Sequence, residues 1–263
     1  MSPFWLLAAF LLAAAVAGGA YRWGALTTSG AWAAALVGGA MLGFGGWPWA
    51  ALLLGFFLPS TLLSFVAPGR KAALKTRFAK SNARDAAQVL ANGGVAALCA
   101  LGHAWFPAPG WWAAAAGALA AATADTWGTE IGVLSPSPPR DVRHWRPVPP
   151  GTSGAVSTLG LGASALGSLW LGLLALGGAD LRTGLAVTLG GFLGALADSL
   201  LGATVQVVYF CPACGKTTEH HPRHTCGQPT HPIQGWRGLD NDGVNLLATL
   251  VGALTAALLA GWR

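Results

Sequence analysis

The stretch WWAAAAGALAAATADTWGTEIG, from Trp111 to Gly132, decides how the rest of the sequence is interpreted. Its first half contains no ionisable residue, yet its second half contains Asp125 and Glu130, in a chain with only 9 acidic residues. Apolar runs of this kind, near 20 residues, have the length needed to cross a bilayer core of about 30 Å. Whether the two acids can be tolerated depends on the solvent around the run.

The composition is that of a membrane protein. Of the 263 residues, 54% are hydrophobic and 9% are charged, whereas soluble domains carry roughly 25% charged residues. The 13 Trp and 38 Gly agree, because Trp anchors helices at the interface and Gly allows membrane helices to approach closely. We therefore predict an all-α, polytopic transmembrane bundle that forms a single domain over residues 1–263, rather than a soluble fold with an Ala- and Gly-rich core.

About eight spans are expected. The junction Gly46–Trp49 leaves the number open between seven and nine, since the second and third spans can also form one broken hairpin. The predicted spans are Phe4–Ala20, Ala31–Trp47, Trp49–Val66, Asp85–Trp105, Trp111–Leu134, Ala155–Leu176, Gly184–Tyr209 and Gly243–Gly261.

The distribution of positive charge predicts the orientation. Of the 15 Lys and Arg residues, all except Arg182 and Arg263 fall on one side of the predicted bundle. By the positive-inside rule that side is cytoplasmic. The protein is therefore expected in the inner (cytoplasmic) membrane, with both termini on the side away from the cytoplasm. The net charge of +6 then reflects topology and attraction for an anionic substrate. No motif for binding nucleic acid is present, and the sequence does not indicate an oligomeric state.

Polar residues gather where five of the spans meet the cytoplasmic face. The fourth, sixth and eighth spans begin there, and the fifth and seventh end there. The residues are Arg84, Asp85, Gln88 and Asn92; Asp125, Thr126, Thr129 and Glu130; GTSG (Gly151, Thr152, Ser153, Gly154) with Ser157; Asp198, Ser199 and Gln206; and Asp240, Asn241, Asp242 and Asn245.

A cluster of acids at a membrane requires compensating cations. An ionised carboxylate inside a membrane costs on the order of 3 kcal/mol, and Arg84 is the only basic residue that a nearby span supplies. Mg²⁺ fits because it takes carboxylate ligands, keeps waters and bridges to phosphates. Glu130 reaches the same ion as Asp125 only if the helix loosens at Gly128.

The segment GTSG is a candidate phosphate cradle. We expect it to lead directly into a helix N-terminus, where backbone N–H groups and the helix dipole favour an anion. The alternative is a tight turn or a site of helix packing, which Gly and Ser also permit.

The Cys/His-rich insert at residues 210–232 predicts a small cytoplasmic zinc knuckle. Cys211, Cys214, His224 and Cys226 supply the number and type of ligand that structural Zn²⁺ requires. His220, His221 or His231 can replace His224 in this scheme. A reducing cytosol disfavours disulfides, and a closed four-ligand site is typical of a structural role.

Several of these segments resemble a family of integral membrane proteins that includes transmembrane protein 19 and the plastid and cyanobacterial phytyl-phosphate kinases. The matching pieces are QVLANGG, ADTWGTEIG, GTSGAVS, GALADSLLGATVQ, the CxxC…HxC insert and NDGVN, which cover roughly residues 84 to 250. The resemblance implies an enzyme that transfers a phosphoryl group from a nucleoside triphosphate, CTP by analogy with phytol and dolichol kinases, to an isoprenoid monophosphate.

The resemblance covers the polar residues as members of its motifs, and individual roles do not follow from it, so the roles that we assign to them are a hypothesis. Asp125, Glu130 and Asp198 would hold one or two Mg²⁺, and GTSG with Ser157 and Gln88 would bind phosphate. Lys80 and Arg84 would neutralise the transferred group. The remaining catalytic candidates, expected to orient the nucleotide or metal-bound waters, are Asp85, Asn92, Asp242 and Asn245.

Three other functions remain open. A transporter or lipid flippase would also place acids at helix ends, although the apolar outer halves of the spans favour chemistry at the surface. A cytidylyltransferase would use the same substrates to make a nucleotide-linked lipid. A scaffold would use the zinc loop to dock a partner.

Overall fold

The computed structural model describes residues 2–66 and 83–262. Eight α-helices of 13 residues or more lie within these ranges. They are α1 (Pro3–Arg22), α2 (Thr28–Ala40), α3 (Trp47–Ser64), α4 (Ala86–Trp105), α5 (Pro109–Gly132), α6 (Thr158–Ala175), α7 (Leu181–Thr204) and α8 (Asn241–Ala260). The predicted helical bundle is confirmed, with each expected span matched by one helix.

Six of the helices are long and apolar enough to cross a membrane by length and composition. They are α1, α3, α4, α6, α7 and α8. Helix α2 has 13 residues and continues into a π-helical turn, Met41–Gly45, so the pair covers the length of the predicted second span. Helix α5 has 24 residues and lies at the centre of the bundle.

Helix α5 explains the opening stretch of the sequence. Its residues 112–124 are all buried, and it packs against α3, α4, α6, α7 and α8. A helix that is apolar all round belongs inside a bundle, and its small side chains allow close approach. A Cβ on Gly117 would lie 2.5 Å from the Ala256 Cβ of α8, and one on Gly194 of α7 would lie 2.5 Å from the Ala121 Cβ. Glycine at these two positions sets the distance between α5 and its neighbours.

The bundle has two chemically different ends. At one end α3, α5 and α7 finish and α4, α6 and α8 begin, and we call this the polar end. The opposite end is rich in tryptophan: Trp111 packs edge-on against Trp262 at 4.8 Å, and Trp112 packs against Trp49 at 5.5 Å. Such aromatic belts mark a membrane interface.

Two small antiparallel sheets lie in the connections at the polar end. Strands β1 (Arg140–Asp141) and β2 (Ala155–Val156) pair between α5 and α6. Strands β3 (Val208–Cys211), β4 (Lys216–Thr218) and β5 (His231–Gln234) form a sheet in the order β4-β3-β5 between α7 and α8. The predicted seventh span reached Tyr209, which was wrong: α7 ends at Thr204, and the apolar residues after Val207 alternate between the two faces of β3 instead.

Candidate functional site

A cavity of about 810 Å³ opens at the polar end. Residues from the polar ends of several helices line it together, as the sequence predicts. The candidate residues that line it are Arg84, Gln88, Asn92, Asp125, Glu130, Gly151, Thr152, Ser153, Gly154, Ser157, Asp198, Asp242 and Asn245. Of the other two candidates, Asp85 does not line the cavity, and Lys80 lies outside the described residues.

Asp125 of α5 and Asp198 of α7 meet in this cavity. Their carboxyl groups lie close enough for their charges to interact, which the close glycine-mediated packing of the two helices permits. The second oxygen of Asp198, Oδ2, is buried and has no hydrogen-bond partner among the described residues. Two ionised carboxylates this close repel each other, so the pair requires a shared proton or a bound cation.

Glu130 belongs to a different part of the cavity from Asp125. Helix α5 remains α-helical through Gly128, so the two side chains leave the helix about 140° apart. The Glu130 carboxylate accepts a hydrogen bond of 2.8 Å from Ser64 Oγ and lies near the Arg84 guanidinium. The loosening at Gly128 that Glu130 would need in order to share an ion with Asp125 does not occur, so the helix geometry does not support Glu130 as the predicted third Mg²⁺ ligand beside Asp125 and Asp198.

Arg84 is held by the connection between α1 and α2 and by α3. Its backbone N–H donates to the Ala25 carbonyl at 3.0 Å, and its carbonyl accepts from Thr27 N–H at 3.0 Å. Its guanidinium lies 5.4 Å from the Phe56 ring centroid. Burial lowers the pKa of Arg84 to about 10, and the charge of Glu130 opposes that shift. Arg84 therefore stays cationic at neutral pH.

Asp85 has a structural role that its position in the sequence conceals. Its Oδ1 accepts from Gln88 N–H at 3.0 Å, and its own N–H donates to Gln88 Oε1 at 3.1 Å. This reciprocal pair is a capping box, which satisfies two N–H groups that a helix start leaves without a partner. The prediction that Asp85 orients nucleotide or metal therefore finds no support in the geometry, whereas Gln88 and Asn92 do reach the cavity.

The GTSG segment packs against α7 beside Asp198. Gly154 has φ +71°, and a Cβ there would lie 2.5 Å from the Ala203 Cβ and overlap the Ser199 carbonyl. Only glycine fits this approach. The segment does not lead directly into a helix as predicted, because β2 intervenes and α6 begins at Thr158, capped by Ser157 Oγ at 3.0 Å from Gly160 N.

Helix α8 brings Asp242 and Asn245 to the same cavity. Its N-cap is Asp240, whose Oδ1 accepts from Gly243 N–H at 3.0 Å. One turn beyond Asn245, Thr249 Oγ1 donates to the Ala91 carbonyl of α4 at 3.1 Å and ties the two helices together. Asp242 is 9% exposed, which makes it one of the most buried charged side chains at the polar end.

The four predicted cysteine and histidine ligands come together at the edge of the β3–β5 sheet. Their ligand atoms all lie within 4.8 Å of one another. The Cys211 and Cys226 sulfurs are 3.7 Å apart, and His224 Nδ1 lies 3.4 Å from Cys214 Sγ and 3.2 Å from Cys226 Sγ. Tetrahedral ligands at about 2.3 Å from Zn²⁺ are separated by about 3.8 Å, so the group could hold a metal ion such as zinc.

Local hydrogen bonds favour the metal-binding thiolate at one of the four ligands, Cys226, whereas the hydrogen bond with Cys226 raises the pKa of the Cys214 thiol to about 11. A hydrogen bond from the Gln228 backbone lowers the pKa of the Cys226 thiol to about 6, which favours the thiolate that metals bind. The alternative ligands His220, His221 and His231 are outside the cluster. His221 instead stacks on Tyr209 with ring centroids 4.5 Å apart.

Sequence reasoning missed Glu219. The three-stranded sheet folds over the cavity, and the Glu219 carboxylate lies close enough to Asp198 for their charges to interact. Its Oε1 accepts a hydrogen bond of 3.0 Å from Gln206 Nε2, and Gln206 is 2% exposed. No signal in the sequence marks Glu219, because it lies between the metal ligands and is read as part of their loop.

The comparisons with known proteins agree with the membrane architecture. Residues 11–253 match the family described as Integral membrane protein DUF92. The chain belongs to this family. Two relatives are Protein PGR of Arabidopsis thaliana, 31% identical over 78% of this chain and 79% of its own, and an uncharacterized membrane protein of Methanocaldococcus jannaschii, 31% identical over 89% of this chain and 85% of its own. No solved structure matches the sequence.

The DUF92 match extends over the whole cavity. It begins within α1, ends within α8, and includes both the Asp125–Asp198 pair and the Cys/His cluster. The arrangement within it combines paired carboxylates, a half-buried guanidinium and a glycine-rich segment at one end of a membrane bundle. Carboxylates are the usual ligands of divalent cations, and guanidinium groups commonly pair with phosphates.

Proposed function

We propose that the protein transfers a phosphoryl group from a nucleoside triphosphate, CTP by family resemblance, to an isoprenoid monophosphate such as phytyl phosphate. The observation that supports this most strongly is the close pairing of the Asp125 and Asp198 carboxyl groups, with a buried oxygen of Asp198 left without a hydrogen-bond partner among the described residues. A carboxylate pair of this kind accepts the divalent cation that phosphoryl transfer requires.

The residues that line the polar cavity have distinct roles in this proposal. Asp125 and Asp198 would hold Mg²⁺, which neutralises charge on the transferred group when it is bound. Arg84 also lines the cavity, with its backbone bonded to residues 25 and 27, and its guanidinium would neutralise negative charge on the transferred group. Gly151–Gly154 present backbone next to Asp198 for the nucleotide phosphates. Asn92, Asp242 and Asn245 line the same cavity and orient the two substrates.

The reaction needs no strong general base. An oxygen of the acceptor monophosphate attacks the γ-phosphorus, and the bond from that phosphorus to the β–γ bridging oxygen breaks. The electron pair leaves with the nucleoside diphosphate, and the lipid becomes a diphosphate. Both reacting groups are already anionic, so positioning and charge neutralisation supply most of the rate enhancement.

We place the polar end at the cytoplasmic face of the inner membrane. The connections at that end carry the basic residues Arg140, Arg143, Arg146 and Arg237, which positive-inside topology keeps in the cytoplasm. The same side gives the cavity direct access to nucleotide and keeps the cysteines reduced. Both termini are then outside.

The test uses purified protein in detergent with Mg²⁺, phytyl monophosphate and CTP labelled on either the α- or the γ-phosphate. The proposal expects the γ-label in the lipid fraction and the α-label in released cytidine diphosphate. Asp125→Asn should abolish transfer while leaving the protein folded, and Asp180→Asn, at the opposite end of α7, should leave it unchanged.

The other outcomes identify the rival functions. The α-label in the lipid would indicate a cytidylyltransferase. No label in the lipid with either nucleotide would refute the kinase proposal and leave transport or scaffolding as the alternatives.

A further inference from the structure

A second, mainly apolar groove lies between α1, α2, α3 and α4. Its volume is about 130 Å³. At its far end the walls are Leu12, Leu42 and Trp47, and at its near end they are Leu26, Phe57 and Arg84. These four helices contribute little to the polar cavity, whose acids come from α5, α7, α8 and the connection between α7 and α8.

The groove runs along the helices, toward the polar end. On α3 its lining extends from Trp47 to Phe57, and on α1 from Leu12 to Ala20. At 1.5 Å per residue these stretches are about 15 Å and 12 Å long, roughly half the thickness of a bilayer core. The groove therefore has the direction of a lipid chain that starts at the polar end.

The groove and the polar cavity share three lining residues, Arg84, Gln88 and Asn92. Arg84 forms the boundary, because its guanidinium packs over the rings of Phe56 and Phe57 at 5.4 and 5.7 Å and also lies beside Glu130. A molecule that crosses this boundary would have its anionic group next to Arg84 and its hydrocarbon among Phe56, Phe57 and Val89.

We propose that this groove binds the hydrocarbon chain of the lipid substrate, in the segment adjacent to its phosphate. The inference rests on the proposed function, and it assigns α1–α4 the task of selecting the acceptor. A cavity of about 150 Å³ accommodates a benzene-sized group, so the groove holds the first branched unit of an isoprenoid chain, and the rest of the chain extends into the bilayer.

Small residues keep the groove open. Ala13, Gly38 and Ala50 line it, and a Cβ on Gly38 would already lie 3.2 Å from the Ala13 Cβ. Larger side chains at these positions would fill the space that the chain occupies. The neighbouring residues Ala14 and Ala51 are exposed and do not line the groove, so the same changes there serve as matched controls.

The first experiment maps the chain directly and does not depend on turnover. A phytyl monophosphate analogue with a diazirine on the chain, near the phosphate, is photolysed with the full-length protein, and the labelled peptides are identified by mass spectrometry. We expect labels on the lining residues of α1–α4, removed by competition with phytyl monophosphate. Labels confined to α6–α8, or labels that do not compete, would overturn the proposal.

The second experiment compares Ala50→Leu with Ala51→Leu, and Ala13→Leu with Ala14→Leu. A leucine at a lining position would prevent the burial of about two methylene groups of the lipid chain. Each lining variant should therefore raise the KM for phytyl monophosphate roughly tenfold. The KM for dimethylallyl monophosphate, whose single unit is the part of the chain that the groove holds, should rise to a similar extent, and both control variants should match the wild type. Equal KM values in lining and control variants would refute the groove.

The two experiments separate this proposal from the kinase proposal. A wild-type protein that transfers no phosphate but is labelled in the groove refutes the kinase and supports the lipid site. A protein that transfers phosphate but is labelled outside the groove supports the kinase proposal and refutes the lipid site.

Discussion

Replacement of Gly154 by alanine tests whether the GTSG segment must lie against α7. The new Cβ would be 2.5 Å from the Ala203 Cβ, where contacts under 3.0 Å essentially never occur, so the segment and α7 must separate by about 0.5 Å or more. The φ of +71° adds roughly 1 kcal/mol of strain for a residue with a Cβ. Because a displacement of about 1 Å can reduce a rate by about 10²-fold, we expect kcat to fall roughly 10- to 100-fold.

The assay is γ-phosphate transfer from labelled CTP to phytyl monophosphate, with folded protein quantified by size-exclusion chromatography in detergent. The control is Gly162→Ala, since Gly162 is exposed on α6, has a negative φ and meets nothing within 4 Å of an added Cβ. That variant should keep wild-type activity. If Gly154→Ala also keeps it, GTSG does not act through its contact with α7.

Three further predictions concern the connections at the polar end. Cys211→Ser should remove the bound metal, measured by mass spectrometry of the purified protein, whereas Cys99→Ala should retain it. The loss of metal should also lower transfer about tenfold or more, because it releases the sheet that carries Glu219. Glu219→Gln should lower transfer with the metal content unchanged, and equal activity would exclude Glu219 from the site. Arg143 holds the pKa of the Asp141 carboxyl below its usual range. The stabilisation by this ion pair is therefore complete above about pH 4 and is lost as the pH falls through the lower pKa of the folded state. Hydrogen exchange of residues 140–156, corrected for intrinsic rates, should be constant from pH 8 to 5 and increase only below about 4, and an increase between pH 7 and 5 would contradict the assignment.

The membrane bundle was predictable from the sequence because the physics of the bilayer acts on long segments. Each span needs about 20 apolar residues, and the polar residues stand out against them. The gathering of Asp125, Asp198 and Asp242 followed from topology alone, since alternate helices end at the same face. The Cys/His cluster was predictable because metal ligands have a local spacing.

Other features depend on contacts that no local pattern records. Asp85 and Asp242 each lie at the start of a helix in a polar segment, yet Asp85 caps its helix through Gln88 and Asp242 faces the cavity. Glu219 reaches Asp198 only because the β3–β5 sheet folds back over the bundle. Arg84 owes its position to a backbone pairing with residues 25 and 27, nearly 60 residues earlier in the chain. Such long-range contacts require the folded structure.

Binding of Mn²⁺ in the presence of CTP, followed by electron paramagnetic resonance, tests most directly whether the polar end is a cation-dependent phosphate site. The wild type is expected to bind at least one Mn²⁺ in a CTP-dependent manner, and Asp198→Asn should weaken that binding at least tenfold while Asp180→Asn leaves it unchanged. Equal Mn²⁺ binding by the wild type and Asp198→Asn would contradict the account.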